Sequence, residues 1–262
     1  MAPLHWDRDL LDSLAQDPRP EVLHLRSEDR SDGLCDYQQA IELLDELVQR
    51  SPDRPDVLLA LQHPPVATLG RSGGEEDLLG RQWRDARDPQ ALPVDIALHR
   101  VCRGGKITMH GPGQLVLYPV VQLAQQQGPV GRGPLGDLPA FVRLLEQHIQ
   151  ETCQHFGLDT VTRPGFSGVW LDDQRKLASI GIGVRRGWSL HGLALNVDPP
   201  LDLFELMVPC GLAGARLTSL GQELRRLNLP VPGLDQVAAD LTQRLRQGLL
   251  RRPGLEQRLP RP

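Results

Sequence analysis

The sequence predicts a mixed α/β domain, an α+β arrangement in which helices pack against a mixed β-sheet. Two observations predict this class. Strand-like apolar runs lie between and beside amphipathic helical patterns, without a regular alternation of strand and helix. Residues 177–184 and 188–197 are two β-rich runs separated only by Arg-Arg-Gly, which is typical of an antiparallel hairpin. We expect one domain over residues 21–252, an N-terminal extension over 1–20 and a C-terminal tail over 253–262.

The first half of the chain is predicted to combine short strands with one helix. Residues 37–50 place their leucines on one face, which predicts an amphipathic helix. Strands are predicted over 21–26, 56–62, 96–103 and 114–123. Residues 70–93 mix glycine, arginine and acidic residues, so they are predicted to form a long loop.

The second half contains the hairpin and most of the predicted helical residues. A helix is predicted over 138–156, because Pro139 suits a first helical turn and Gly157 suits a helix end. A short strand is predicted over 168–171, a short helix over 201–207 and a last amphipathic helix over 234–251.

Composition and charge exclude several classes of protein. The 262 residues carry a net charge of −4, which does not favour nucleic acid or a membrane surface as partner. The chain has neither an apolar run of about 18 residues nor a signal-peptide pattern at its N-terminus. Because the four cysteines are scattered and form no CxxC pair, we expect no zinc site and no disulfide framework. A reducing cytoplasm fits best.

The basic residues are almost all arginines. Only Lys106 and Lys176 among the 29 basic residues are lysines. Lysine can lose its proton in a protein whereas arginine cannot, so a lysine in such a chain is a candidate for proton transfer. The alternative is residual codon bias, which is a stronger explanation for Lys106 than for Lys176.

A glycine-rich segment between two predicted strands is the first candidate binding site. Residues 103–114 contain four glycines together with Arg103, Thr108, His110 and Gln114. Glycines allow a ligand to approach the backbone and its N–H groups closely. A wide hairpin turn is the alternative, although a turn alone does not need so varied a polar set.

The predicted hairpin is the second candidate site. Small residues over 178–181 and 192–194 would open a narrow slot, with Ile180, Leu193 and Leu195 as its walls. An apolar slot suits a fatty acyl chain. Simple packing within a sheet is the alternative.

Cys210 is the third candidate, because it lies between Pro209 and Gly211 and outside any helical or strand pattern. A cysteine on an exposed turn suits a nucleophile. Free cysteines are more often inert core residues, and we expect that role for Cys35, Cys102 and Cys153.

Together these segments resemble the octanoyltransferases of protein lipoylation, the lipoyl(octanoyl) transferase family. Four motifs appear in the family's order: Arg-Gly-Gly-x-x-Thr-x-His-Gly-Pro-Gly-Gln from Arg103, Lys-x-Ala-Ser-Ile-Gly from Lys176, His-Gly-Leu-Ala-Leu-Asn-Val from His191, and Pro-Cys-Gly around Cys210. The resemblance covers about residues 37–219.

An upstream element, His-Pro-Pro-Val-Ala-Thr-Leu-Gly-Arg from His63, is also similar to the family's pattern. Three positions depart from it. Met109 stands where the family usually has tyrosine, and Gln62 and Ala67 stand where glutamate and tyrosine are common.

The resemblance implies the catalytic-domain fold shared by biotin and lipoate protein ligases. It implies transfer of an octanoyl or lipoyl group from octanoyl-acyl carrier protein to a lysine of a lipoyl domain. The acceptors would be lipoyl domains of 2-oxoacid dehydrogenases and the glycine cleavage H protein. No metal or other cofactor is implied. Because such carriers are acidic in most families, Arg71 and Arg103 are candidates for docking them.

The resemblance also implies the roles of individual residues. Cys210 would be the nucleophile that carries the acyl group as a thioester, and Lys176 its catalytic partner. The residues implied to bind substrate lie in the glycine-rich segment and the hairpin: Arg103, Gly104, Gly105, Lys106, Ile107, Thr108, Met109, His110, Ser179, Ile180, Gly181, Gly192, Leu193 and Ala194.

Elementary chemistry supports the pairing of Cys210 with Lys176. A free thiol is mostly protonated at pH 7, and an adjacent ammonium favours the reactive thiolate. Acylation removes the negative charge beside the lysine, which can then release its proton and later accept one from the incoming amine. Backbone N–H groups near Gly111 to Gly113, or after Cys210, are candidates to stabilise the tetrahedral oxyanion.

Two other functions stay open from the sequence. An ATP-dependent ligase of the lipoate or biotin type would share the fold, but it would activate its acid as an adenylate and need no cysteine. A non-catalytic module that binds lipoyl domains or acyl carrier protein is the second alternative. The presence of both Cys210 and Lys176 argues against each of them.

Overall fold

A computed structural model describes residues 21–25, 31–49, 56–74, 96–123, 138–206 and 214–250. The predicted N-terminal extension, the C-terminal tail, most of the predicted 70–93 loop and Cys210 lie outside these residues. Among the described helices, none is long and apolar enough to cross a membrane.

The centre of the fold is a large mixed sheet. Its strands, in chain order, are β1 (Glu21–His24), β2 (Val57–Leu61), β6 (Gln114–Val120), β7 (Val161–Arg163), β8 (Phe166–Trp170), β9 (Arg175–Arg185) and β10 (Trp188–Asn196). Their order across the sheet is β1-β2-β6-β10-β9-β8-β7, and a short strand β11 (Arg216–Leu217) pairs with β9. The β1–β2 and β9–β11 pairs are parallel, whereas the other pairs are antiparallel.

Helices cover both faces of this sheet. Helix α1 (Tyr37–Gln49) buries Leu43, Leu44 and Leu47 in a core with β2 and β6. On the other face, the long helices α2 (Leu138–His155) and α4 (Leu234–Leu250) enclose the larger core together with the short helix α3 (Leu220–Arg226). The predicted fold class, a mixed sheet with packed helices, is therefore confirmed.

A second, smaller sheet lies beside the first. Strand β3 (Val66–Leu69) pairs with β4 (Ala97–Arg100) in parallel and with β5 (Ile107–His110) in antiparallel orientation. The sequence predicted only a turn between the strands of residues 96–103 and 114–123, and that prediction was incomplete. Four of the ten residues between them form strand β5. The two predicted strands also belong to different sheets, since β4 lies in the small sheet and β6 in the large one.

The β9–β10 hairpin is confirmed. Its two strands are joined by Arg186 and Gly187, whose φ angles of 51° and 81° are both positive. Two successive positive φ angles are typical of the tight turns that match the twist of antiparallel strands. The helices predicted at 37–50, 138–156 and 234–251 are also found, and the short helix predicted at 201–207 is a 3-10 helix over Leu201–Leu206.

Candidate active site

The described parts of the motif segments meet at one cavity between the small sheet and the α1 face of the large sheet. The space between its walls, open solvent included, is about 310 Å³. Strands β3 and β5, the start of α1, and strands β6, β9 and β10 all contribute. The lining residues are Tyr37, Thr68, Arg103, Thr108, His110, Tyr118, Ser179, Gly181, His191, Gly192, Leu193 and Ala194. Eight of these twelve residues carry a polar side-chain group, so the wall is more polar than the slot of Ile180, Leu193 and Leu195 expected from the sequence.

Arg103 is fixed by the protein itself. Its Nε donates to the Thr68 hydroxyl, and Nη2 donates to the Thr68 hydroxyl and carbonyl at 2.8 and 2.7 Å. Nη1 donates to the carbonyls of Gly104 and Lys106 at 3.0 and 2.9 Å. A guanidinium has five N–H donors, and these contacts engage all of them. The idea that Arg103 docks an acidic carrier is therefore wrong, since the side chain is also buried.

The glycine-rich segment divides between cavity and core because β5 alternates its faces. Thr108 and His110 line the cavity, whereas Ile107 and Met109 are buried in the core of the small sheet. Gly104, Gly105 and Lys106 are not among the cavity-lining residues; they form the loop that holds Arg103. Met109 is also the cross-strand partner of Ala67, so two departures from the family pattern lie opposite one another in this core.

His63, which the predicted site did not include, fixes the hydroxyl of Tyr118. Its Nδ1 lies 2.7 Å from the Cys35 carbonyl oxygen and its Nε2 lies 2.9 Å from the Tyr118 hydroxyl. Burial lowers the pKa of His63 to about 4, so the ring is neutral at pH 7. A carbonyl only accepts, so Nδ1 carries the proton and the Tyr118 hydroxyl donates to Nε2.

A second chain of hydrogen bonds fixes His110. Its Nδ1 lies 2.7 Å from Oε1 of Gln114, whose Nε2 donates to Oδ1 of Asn196 at 2.9 Å. Asn196 in turn donates to the Thr218 carbonyl at 2.9 Å. With these amide orientations, His110 carries its proton on Nδ1 and presents Nε2 as an acceptor. Burial, with a smaller effect of His63, lowers the pKa of His110 to about 3, so it stays neutral at pH 7.

His191 enters the cavity from an interruption in the sheet. The paired register of β6 and β10 ends at Leu117 and Leu193, next to Pro119, which has no N–H to donate. His191 adopts a φ of 58°, in the left-handed region that non-glycine residues rarely occupy. Burial, followed by the charge of Arg103, lowers its pKa to about 4. Such backbone strain is often found at functional sites.

The hairpin contributes small residues to the cavity, as expected. Ser179 pairs with Ala194 and Gly181 pairs with Gly192 across the β9–β10 ladder, and all four line the cavity. A Cβ atom on Gly181 would lie 2.9 Å from Cδ of Arg103, so glycine makes room for that side chain. Of the three residues expected to form the walls, only Leu193 lines the cavity. Ile180 and Leu195 are buried in the larger core, on the face of the sheet that α2 and α4 cover, and do not reach the cavity.

Lys176 lies on β9 but is not among the residues that line the cavity. The side chain is buried, with an exposed fraction of 2%. Its Nζ donates to the Ser167 carbonyl at 3.0 Å and lies 5.1 Å from the centre of the Trp170 ring. The ammonium is thus held at the edge of β8 by a carbonyl and an aromatic face.

The thiols of Cys35 and Cys153 are unsuited to nucleophilic chemistry. Burial raises the pKa of each to about 12, so neither forms a thiolate near pH 7. Cys102, expected to be a core residue, is instead exposed. Cys210 lies outside the described residues, and its candidacy as nucleophile stays a prediction.

One backbone N–H expected to stabilise the oxyanion is already bonded within the protein. The Gly113 N–H, one of the candidates, donates to Oε1 of Gln62 at 2.8 Å. That N–H is therefore engaged within the protein. The contact also gives Gln62 a role that the glutamate common at this position in the family could fill, because both side chains offer a carbonyl-type acceptor.

The predicted set of site residues omitted four that line the cavity: Tyr37, Thr68, Tyr118 and His191. Thr68 lies, like His63, in the His-Pro element that resembles the family's pattern, and that resemblance was a signal for both residues. The sequence gives no such signal for Tyr37 and Tyr118, because each looks like an ordinary buried residue of a helix or strand.

Comparisons with known proteins agree with this fold. The family model for the lipoyl protein ligase A/B catalytic domain matches residues 36–246. A putative lipoate protein ligase from T. acidophilum, solved with bound lipoic acid, superposes with a TM-score of 0.60 at 17% identity, covering 89% of this chain and 86% of that one. The biotin protein ligase of Leishmania major gives a TM-score of 0.50 at 12% identity, covering 88% and 74%. At such identities these likenesses define the fold class, that of lipoate and biotin ligase catalytic domains.

Relatives of similar sequence identify the family within this fold class. The octanoyltransferase of Geobacter sp. (strain M21) is 41% identical over 193 residues, which cover 73% of this chain and 84% of the relative. The octanoyltransferase of Gloeobacter violaceus is 46% identical over 183 residues, covering 69% and 73%. The chain therefore belongs to the octanoyltransferase family, a family of acyltransferase enzymes.

Proposed function

We propose that this protein transfers an octanoyl or lipoyl group from acyl carrier protein to a lysine of a lipoyl domain, in lipoate biosynthesis. The observation that carries the proposal is the convergence of the Arg103, Lys176 and His191 motif segments. Residues of all three line one cavity, although the segments are far apart in the chain. Membership of the octanoyltransferase family indicates which acyl group is transferred and which reaction is catalysed.

In the first half of the proposed reaction, the Cys210 thiolate attacks the thioester carbonyl of octanoyl-acyl carrier protein. The bond between the carbonyl carbon and the carrier sulfur breaks, and the carrier leaves as a thiolate that solvent protonates. The Lys176 ammonium, no longer beside a negative charge, releases its proton to solvent. In the second half, the acceptor amine attacks octanoyl-Cys210 and gives its proton to Lys176. The amide forms, and the thiolate of Cys210 is released.

The chain around Lys176 supports its partnership with Cys210. Strand β11 begins six residues after Cys210, and its Leu217 is the register partner of Lys176. The Thr218 N–H also donates to the Lys176 carbonyl at 2.9 Å. The segment that carries the proposed nucleophile thus continues directly into the strand beside the proposed acid–base residue.

This cavity is the proposed substrate-binding site. The residues proposed to bind substrate are therefore those that line it: Arg103, Thr108, His110, Ser179, Gly181, Gly192, Leu193 and Ala194 from the sequence prediction, with Tyr37, Thr68, Tyr118 and His191 added. Because His110 is neutral and the Tyr118 hydroxyl donates its proton to His63, Nε2 of His110 and the Tyr118 hydroxyl oxygen are offered to the cavity as acceptors without negative charge. The specific donors and acceptors, octanoyl-acyl carrier protein and lipoyl domains, belong to the proposal, as does a reducing cytoplasm that keeps the thiol free.

The proposal is tested by intact mass spectrometry after incubation with octanoyl-acyl carrier protein without ATP, beside a Cys210→Ala control. A hydroxylamine-labile octanoyl adduct on the unchanged protein only is the expected result. Acylation of a lipoyl domain that requires ATP and free octanoate would indicate a ligase instead. If neither reaction occurs while the lipoyl domain still binds, a non-catalytic binding module would be the better account.

A further inference from the structure

One peptide bond in β8 joins two buried charged side chains. The carbonyl of Ser167 accepts a hydrogen bond from Nζ of Lys176 at 3.0 Å. The N–H of the next residue, Gly168, donates to Oε1 of Glu146 on α2 at 2.9 Å. The carbonyl and the N–H are the two ends of the same peptide group, so a cation and an anion act on it from opposite sides.

The hydrogen bond from Lys176 and the hydrogen bond to Glu146 strengthen one another. An anion that accepts the N–H shifts electron density toward the carbonyl oxygen, which then becomes a better acceptor for the ammonium. Hydrogen bonds to charged groups are also the stronger ones in proteins. The carboxylate of Glu146 therefore helps to hold the ammonium of Lys176 without touching it.

The place of Glu146 in the helix argues for such a role. Its exposed fraction is only 9%, and its helix neighbour Leu145 and the nearby Ile149 belong to the main core. Burying a carboxylate carries a large desolvation cost, which an apolar residue at this position would avoid. An acidic side chain here is therefore better explained by its contact with β8 than by packing.

Gly168 allows the arrangement. Its φ is 116°, which side-chain-bearing residues rarely adopt, and a Cβ atom there would lie 2.3 Å from the Ala178 carbonyl oxygen and 2.9 Å from Cε of Lys176. The lysine stem thus passes directly over the glycine. The backbone at this point is shaped so that the lysine and the peptide bond can meet.

We infer that Glu146 is a positioning residue for Lys176, acting through this peptide bond of β8. The inference rests on the proposed function for its catalytic consequence, but not for the coupling itself. Removing the carboxylate should displace the lysine ammonium and slow both proton transfers, while the affinity for octanoyl-acyl carrier protein stays unchanged.

The coupling can be measured directly because the full chain contains only two lysines. Protein labelled with ¹³C at the lysine Cε gives two side-chain signals, which a Lys106→Arg variant assigns. The test variants are Glu146→Leu, which removes the acceptor, and Glu146→Gln, which keeps an acceptor oxygen but removes the charge. Glu151→Gln is the matched control, because Glu151 lies on the same helix and bonds Gln147 and His148 instead.

In Glu146→Leu the Lys176 signal should move and the Lys106 signal should stay in place. The kcat of both half-reactions should fall about tenfold, and about threefold in Glu146→Gln, as expected for losing or weakening one charge-assisted hydrogen bond, with KM unchanged. The control should match the unchanged protein in every measurement.

A Lys176 signal that stays in place in folded Glu146→Leu would overturn the inference, and so would an equal displacement in the Glu151→Gln control. If Glu146→Leu does not fold, the inference is tested on Glu146→Gln instead, and a Lys176 signal that stays in place in that variant would overturn it. A displaced signal with unchanged kcat would support the coupling and instead remove Lys176 from the proposed reaction.

Discussion

Replacing Lys176 by methionine should remove the acyl transfer while leaving the fold almost as stable as before. Methionine is unbranched and of similar length, so it can fill the same space. The variant loses the hydrogen bond to the Ser167 carbonyl and the contact with the Trp170 ring, about 1 kcal/mol each. It also no longer buries a charge, which offsets much of that loss. The free energy of unfolding should therefore change by less than about 2 kcal/mol.

The chemical effect should be much larger than the effect on stability. A positioned acid–base group contributes roughly 10²- to 10⁴-fold to a rate, and Lys176 is proposed to serve both half-reactions. The assay follows self-acylation of the protein and transfer to a lipoyl domain separately, by mass spectrometry after rapid quenching, with urea unfolding of each variant alongside. Lys106→Met is the matched control, since it removes the only other lysine.

Wild-type rates in Lys176→Met would refute the proposed role. Lys176→Arg sharpens the test, because arginine keeps the positive charge but cannot exchange its proton. We expect that variant to acylate itself yet fail to transfer the group to the amine. An equal loss of both steps would contradict the idea that one lysine acts first as a charge and then as a base.

Three further outcomes follow from the buried groups. Arg103→Lys replaces five donors with three, so the free energy of unfolding should fall by about 2–4 kcal/mol in urea titrations; an unchanged midpoint would contradict the hydrogen-bond assignment. His63 and His110 have pKa values lowered to about 4 and 3, so the unfolded chain gains protons first as the pH falls below about 6.5. Stability should drop between pH 6.5 and about 4, by up to about 1.4 kcal/mol per pH unit for each histidine, and a flat profile of urea midpoints would exclude this. Cys35 and Cys153 should resist iodoacetamide at pH 7.5 in the folded protein, and peptide mapping that finds either one modified as fast as in urea would count against their burial.

Much of the fold could be predicted because its long elements have strong local signals. The helix over Leu138–His155 and the β9–β10 hairpin were predicted with nearly correct ends. Strand β3 was missed because its four residues lie inside the His-Pro motif, and β5 was missed because glycines surround it. Strands this short are set by their partners, which a single sequence does not display.

The site was predicted less completely than the fold, for a physical reason. The glycine-rich and hairpin motifs indicated where the cavity lies, but not which side chains face it. Ile180 lies on the opposite face from Ser179 and Gly181, because side chains alternate along a strand. Glu146 and His63 act through contacts with distant backbone, at 2.9 and 2.7 Å, and such contacts leave no trace in local sequence.

The burial of Lys176 also bears on how an enzyme of this kind coexists with copies of itself. An acyl thioester reacts with amines in general, so every accessible lysine on a neighbouring copy is a competitor for the acyl group. Here one lysine is 2% exposed and the other is only partly exposed, while the remaining basic residues are arginines, whose charged guanidinium is not a nucleophile. Under the proposed thioester mechanism, copies of this protein thus offer one another's acyl-thioester almost no competing lysines, and the acyl group is left for a lysine that another protein brings.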